Sequence, residues 1–125
     1  MAEHEFDLKD GLKIGDKDGV QKHVVLRELT AGDIIEASQA SERVAFTQSG
    51  ETVLTSSPSL LGVLLLCQQI KRLGDLDGPI PLNVLKRLSA DDFTVLQQKS
   101  DAFDQSLRQA SKDLENKGRG EGGSA

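Results

Sequence analysis

Eight consecutive residues, Leu60-Leu61-Gly62-Val63-Leu64-Leu65-Leu66-Cys67, carry no charged or strongly polar side chain. A helix through such a run has no face to give to water, so it must be covered on every side. Ser57 and Pro58 stand where a helix would begin. The serine hydroxyl can accept from the free N–H groups of the first turn, and proline is pre-set for the first helical position. The predicted helix runs from Pro58 to about Leu73. Ile70 and Leu73 continue its apolar side, Lys71 and Arg72 suit the negative end of the dipole, and Gly74 terminates it. The run is far shorter than the roughly 20 residues needed to span a bilayer, so its cover must be protein. That cover is either the rest of the domain, packed around a central core helix, or in part a second chain, since large exposed apolar patches mark interfaces.

With 125 residues the chain can bury one core. It has four Phe and neither Trp nor Tyr, so that core must be Leu, Val and Ile. A net charge of −5 argues against nucleic acid as the main partner and against an anionic membrane surface, both of which need clustered Lys and Arg. The N-terminal Met1-Ala2-Glu3-His4-Glu5 is acidic and polar, unlike a signal peptide, and a cytoplasmic location is expected. Cys67 is the single cysteine and sits among aliphatics, where a thiol behaves as a small hydrophobe.

The fold class expected is α+β, a small N-terminal antiparallel hairpin or meander packed on a mainly helical domain of three to four helices. Phe6, Leu8, Leu12 and Ile14 alternate with polar residues, Val20 to Leu29 is rich in β-branched residues, and Gly15-Asp16-Lys17-Asp18-Gly19 between them has turn composition. Thr30 and Asp33 predict a capping box opening a helix from Ala31 to about Arg43, with Leu29 and Ile34 as a staple. Residues 45–57 could form a second hairpin or an extended loop around Gln48-Ser49-Gly50-Glu51. A short helix is expected over Leu82–Leu88. Ser89 and Asp92 repeat the Thr30–Asp33 pattern, so a last helix starts at Ala90 and reaches about Asn116. Its apolar positions Phe93, Leu96, Phe103, Leu107, Ala110 and Leu114 follow a heptad with a polar gap at Ser100. That seam serves either the chain's own core or an inter-chain contact. Residues 1–116 then form a single domain, and 117–125 a Gly-rich tail disordered by composition.

Little in the sequence carries chemistry. Gly118, Gly120 and Gly123 have dinucleotide-loop spacing but lack the preceding strand and following helix that receive a pyrophosphate. Asp16-x-Asp18-Gly19 and Asp75-x-Asp77-Gly78 look like calcium-loop fragments, yet Ile14, Val25, Leu73 and Val84 occupy the remaining ligand slots. His4 and His23 have no partner at metal-ligand or triad spacing, and Asp91-Asp92 suit a helix's first turn. No catalytic, metal or cofactor-binding residues are assigned, and a non-enzymatic binding protein is expected.

Three segments, taken together, are similar to the tail assembly chaperones of Mu-like and P2-like contractile-tailed phages. They are Val25-Leu26-Arg27-Glu28-Leu29-Thr30-Ala31-Gly32-Asp33-Ile34-Ile35-Glu36-Ala37, the aliphatic helix ending Gln69-Ile70-Lys71-Arg72-Leu73-Gly74, and Leu76-Asp77-Gly78-Pro79-Ile80-Pro81 continuing through Leu82-Asn83-Val84-Leu85-Lys86-Arg87-Leu88-Ser89-Ala90-Asp91-Asp92. Their order and spacing match from about Lys22 to Gln98. The resemblance implies a chaperone that binds the tape measure protein, keeps it soluble and promotes tail tube assembly around it. It further implies contact with the tail tube protein, a frameshifted longer form, self-association, residence in the bacterial host cytoplasm and absence from the mature virion. The alternatives are a structural tail component or a small adaptor. Helix-in-groove recognition suits such a partner, and the groove is expected between Leu61, Leu64 and Leu65 on the aliphatic helix and Leu96, Phe103 and Leu107 on the last helix.

Overall fold

The computed structural model describes residues 2–13 and 19–123. In chain order the elements are β1 (Glu3–Leu12), β2 (Gln21–Arg27), α1 (Ala31–Ala40), β3 (Glu42–Phe46), β4 (Thr52–Ser56), α2 (Pro58–Gln69), β5 (Ile70–Leu73), β6 (Leu76–Asp77), α3 (Leu82–Leu85) and α4 (Ala90–Gly123). This is an α+β fold. A four-stranded sheet has the order β1-β2-β5-β6, antiparallel at each pairing, and β3 with β4 forms a separate two-stranded sheet.

The N-terminal hairpin forms as the alternation predicts, and the turn expected over 15–19 lies largely outside the described residues. Leu8 and Leu12 of β1 and Val24 and Leu26 of β2 are buried. At the start of α1, Thr30 Oγ1 accepts the Asp33 N–H at 3.2 Å while Asp33 Oδ2 accepts the Thr30 N–H at 2.8 Å, so both arms of the capping box form. Arg27 Nη1 also donates to Asp33 Oδ2 at 2.7 Å, and this guanidinium, with the Thr30 bonds, holds the Asp33 carboxyl far below the usual carboxylate range. The helix stops at Ala40 rather than Arg43, because the chain turns at Ser41 into β3, and residues 42–56 resolve as a hairpin.

The largest departure from the sequence expectation is at the end of α2. The helix ends at Gln69, and Ile70–Leu73 is strand β5, not a last helical turn. Ile70 stands opposite Leu26, Arg72 opposite Val25 and Leu73 opposite Val24, so the step from Ile70 to Arg72 spans a single step on β2. That extra residue is a β-bulge. It lets Ile70 and Leu73, three apart, both be buried, at 2% and 1% exposed. A spacing of three is otherwise a helical signature, which is why the sequence reads as helix. The strand also satisfies backbone groups of β2 that would otherwise lack partners. Lys71 and Arg72 therefore face solvent on the sheet, pairing with Glu3 and Asp77.

The core joins Leu8, Leu12, Val24, Leu26, Ile70 and Leu73 of the sheet to Leu66 and Cys67 of α2, Ile80, Leu85 of α3, and Leu96 and Phe103 of α4. Helix α4 begins at Ala90 as expected, capped by Ser89, whose Oγ accepts the Asp92 N–H at 3.1 Å. Only its first half is held by the core. Leu96 is 0% exposed and Phe103 7%, whereas Leu114 is 72% exposed.

Candidate partner-binding groove

The Leu60–Cys67 run is fully covered at Leu66 and Cys67 and partly covered elsewhere. Leu66 and Cys67 turn into the core, while Leu60, Leu61, Val63, Leu64 and Leu65 are half-buried and Gly62 is exposed. Burial pushes the Cys67 thiol up to about 11, where it stays protonated and apolar at neutral pH.

Between α2 and α4 runs an open groove of about 600 Å³. One wall is α2, contributing Gly62, Val63 and Leu65; the other is α4, contributing Gln97, Asp101 and Asp104. Apart from its chain neighbours and the helix's own backbone, no heavy atom lies within 4 Å of where a Gly62 Cβ would sit, so the helix has a notch open to the groove. Asp101 and Asp104 are the charged side chains of the lining, both acidic.

A polar strut ties the walls together. The Ser100 hydroxyl donates to Gln69 Oε1, and Gln69 Nε2 donates to Asp104 Oδ1 at 2.9 Å. Gln69 is 2% exposed and Ser100 8%, so the gap in the heptad seam is a buried bridge between α2 and α4. A polar pair buried this deeply holds its helices in one register only when its hydrogen bonds are made.

The six residues expected to bind a partner do not share one surface. Leu65 lines the α2–α4 groove. Leu64 faces a smaller hollow of about 250 Å³ with Ala37, Ala40 and Leu82. Leu61 is half-buried on α2. Leu107 borders a third hollow with Leu29 and Leu114. Leu96 and Phe103 are in the core, because α4 turns its heptad seam onto its own sheet. The groove's α4 wall therefore comes from polar positions beside that seam. Sequence reasoning missed Gly62, Asp101 and Asp104. A glycine inside an aliphatic helix costs about 0.5–1 kcal/mol relative to alanine, and that unfavourable choice was a usable signal.

Elsewhere the chemistry is sparse. His23 Nδ1 lies 2.8 Å from Asp7 Oδ1 and Nε2 lies 3.5 Å from Glu5 Oε1; these carboxylate hydrogen bonds raise its pKa on an exposed strand face. Among the described residues no group of three or more His, Cys, Asp or Glu side chains is placed to hold a metal ion. No helix among them is long and apolar enough to cross a membrane.

The family model described as tail assembly protein gp41 matches residues 8–119. The chain is 41% identical over 102 residues to the probable tail assembly protein gp41 of Escherichia phage Mu, covering 80% of this chain and 70% of that one. It is 41% identical over 102 residues to the same phage's probable tail assembly protein FS-gp41, covering 80% of this chain and 54%, about half, of the relative's length. A Mu-like prophage FluMu protein gp41 of Haemophilus influenzae is 42% identical over 86 residues, 69% of this chain and 66% of the relative. No solved structure matches. A family model spanning most of the chain, with relatives of this identity from a phage and a prophage, shows that the chain belongs to the tail assembly protein gp41 family.

Proposed function

We propose that this chain is a tail assembly chaperone that binds the tape measure protein, keeps it soluble in the host cytoplasm and releases it as the tail tube assembles around it. The observation that carries this reading is the α2–α4 groove, with an aliphatic wall notched at Gly62 facing a wall whose charges are both acidic. Such a groove suits a helical segment with an apolar stripe and a basic edge. The low aromatic content favours individually modest contacts, made strong by many copies along one long partner.

The two phage Mu relatives support a further part of the reading. Matches of 102 residues make up 70% of one and 54% of the other, so the second is the longer protein. A longer form of this chain, made by a frameshift and sharing this domain, is consistent with that pair; contact of either form with the tail tube protein is part of the same proposal.

The test is co-expression. The tape measure protein of the same phage or prophage should be largely insoluble alone and soluble with this chain. Mass spectrometry of purified particles should then find the tape measure protein and not this chain. Presence of this chain in particles at a fixed ratio would favour a structural tail component instead. No change in tape measure solubility would reject the chaperone reading.

A further inference from the structure

The α2–α4 groove does not end at the Ser100–Gln69–Asp104 strut. Leu29 and Asp104 line both that groove and the hollow of about 540 Å³ beyond it, which Leu107, Ala110 and Leu114 continue along α4. The two share this border and form one channel. Its α4 side runs from Thr94 to Leu114, a length of roughly 30 Å at the rise of an α-helix. The lining changes along it. At the near end stand Gly62, Val63 and Leu65 of α2. At the far end stand Leu29, Leu107 and Leu114, the last 72% exposed. Between these apolar ends lie Asp101 and Asp104, and among the described residues neither has an ion pair. Asp104 is half-buried, and its Oδ1 accepts from Gln69 Nε2 while the Ser100 hydroxyl donates to Gln69 Oε1. Its carboxylate is therefore held in one direction before any partner arrives, which lowers the ordering cost of binding.

We infer that the channel takes one continuous helix of about 20 residues from the partner, with an apolar stripe interrupted mid-length by a Lys or Arg that pairs with Asp104. This rests on the tape measure reading and adds the length and the charge order that the bound segment must have. An unbroken leucine seam fits less well, because an apolar side chain over Asp104 would strip the carboxylate of water and return no hydrogen bond. A helix of half the length reaches one apolar end and leaves the other uncovered. Arg108, one turn past Asp104 in the far half, favours an acidic residue one turn beyond the partner's cation. A second copy of this chain is a poor occupant. Helices α1, α2 and α3 carry no Lys or Arg, and α4 already turns the Leu96 and Phe103 seam onto its own sheet.

Fluorescence anisotropy of the full chain with labelled fragments of the same phage's tape measure protein, in lengths of about 20 and about 10 residues, tests it. The expected result is that longer fragments with a central Lys or Arg bind and that their halves bind about tenfold more weakly or worse. Asp104→Asn keeps the oxygen that accepts from Gln69 and removes the charge, so it should weaken binding about fivefold and reduce its salt dependence. Leu114→Glu, at an exposed position, should weaken binding about as much while the circular dichroism spectrum stays unchanged. Fragments that bind the wild type and fail to bind Gly62→Phe, yet ignore both Asp104→Asn and Leu114→Glu or bind as well at half length, overturn the inference and leave the tape measure reading standing. Binding of the intact tape measure protein with no fragment bound does the same. Binding of neither overturns both.

Discussion

Asp92 at the start of α4 is bonded to the backbone of Gly11 on β1, its Oδ2 accepting the Gly11 N–H at 2.8 Å across 81 residues of sequence. Its Oδ1 accepts the N–H groups of Lys9 at 2.8 Å and Asp10 at 3.1 Å. The carboxylate is 0% exposed and serves three backbone donors where β1 departs from regular pairing with β2. The α4 N-terminus is thereby fixed to the sheet, and with it the α4 wall of the groove.

Acid should loosen this clamp. Burial raises the Asp92 carboxyl, but the N–H donors of Asp10, Gly11 and Lys9 and the Ser89 hydroxyl outweigh it and leave the group below its ordinary value. A folded-state pKa below the unfolded-state value of about 4 means that the unfolded chain binds the proton more readily. The stabilisation is therefore whole above about pH 5 and is lost as pH falls through and below 4. Asp92→Asn should cost about 2–3 kcal/mol at neutral pH and flatten the acid side of the stability–pH curve, measured by urea unfolding. An acid limb identical to the wild type would show that Asp92 is not the group responsible.

Gly11 is needed at the other end of the clamp. Its φ is +78°, and an added Cβ would sit 2.4 Å from Val20 Cγ1 and 2.8 Å from the Gln21 carbonyl oxygen. The backbone oxygen cannot swing aside as a side chain can. Gly11→Ala should lower stability by about 1–3 kcal/mol, read from the midpoint of chemical denaturation.

Ser100→Ala removes the hydroxyl that donates to Gln69 and leaves a buried amide oxygen short of a donor. A loss of about 1–2 kcal/mol is expected. Binding of the tape measure protein should fall as well, because the bond joins the two walls of the groove. Unchanged stability would show that the strut contributes nothing.

A chain ending at Asn116 should fold as well as the full one. Beyond Leu107 the described α4 side chains, including Leu114, are exposed and add nothing to the core. Stability within about 0.5 kcal/mol of the full chain is expected in urea titration, the range of surface changes away from any packed feature. A clear loss would place part of the domain beyond residue 116.

Local grammar was legible in the sequence. The Thr30–Asp33 box, the Ser57–Pro58 start and the β1–β2 alternation are each set by residues a few positions apart, and each formed. What escaped depends on distant partners. Ile70 and Leu73 read as helix because a bulge opposite Leu26 and Val25 produces helical spacing in a strand. Asp92 read as a dipole-stabilising acid because its three donors lie on β1. The seam through Leu96 and Phe103 fits either the chain's own core or an inter-chain contact in the sequence, because nothing in the spacing says which way α4 turns, and the structure puts both residues in the core. The aliphatic run at Leu60–Cys67 points to α2 as one wall of a candidate groove, but the opposite wall is polar, and polar helix positions carry no such mark.

Gly62 offers the most direct test of the groove. Its Cβ position is open, so Gly62→Ala should raise stability by about 0.5–1 kcal/mol, and Gly62→Phe should fold while filling the groove. Titration of both variants against a purified, solubilised tape measure segment measures the effect. The account predicts binding within a few-fold of wild type for Gly62→Ala and a loss of at least tenfold for Gly62→Phe, with both folded by circular dichroism. Wild-type binding by a folded Gly62→Phe chain would contradict it and place the partner on another surface.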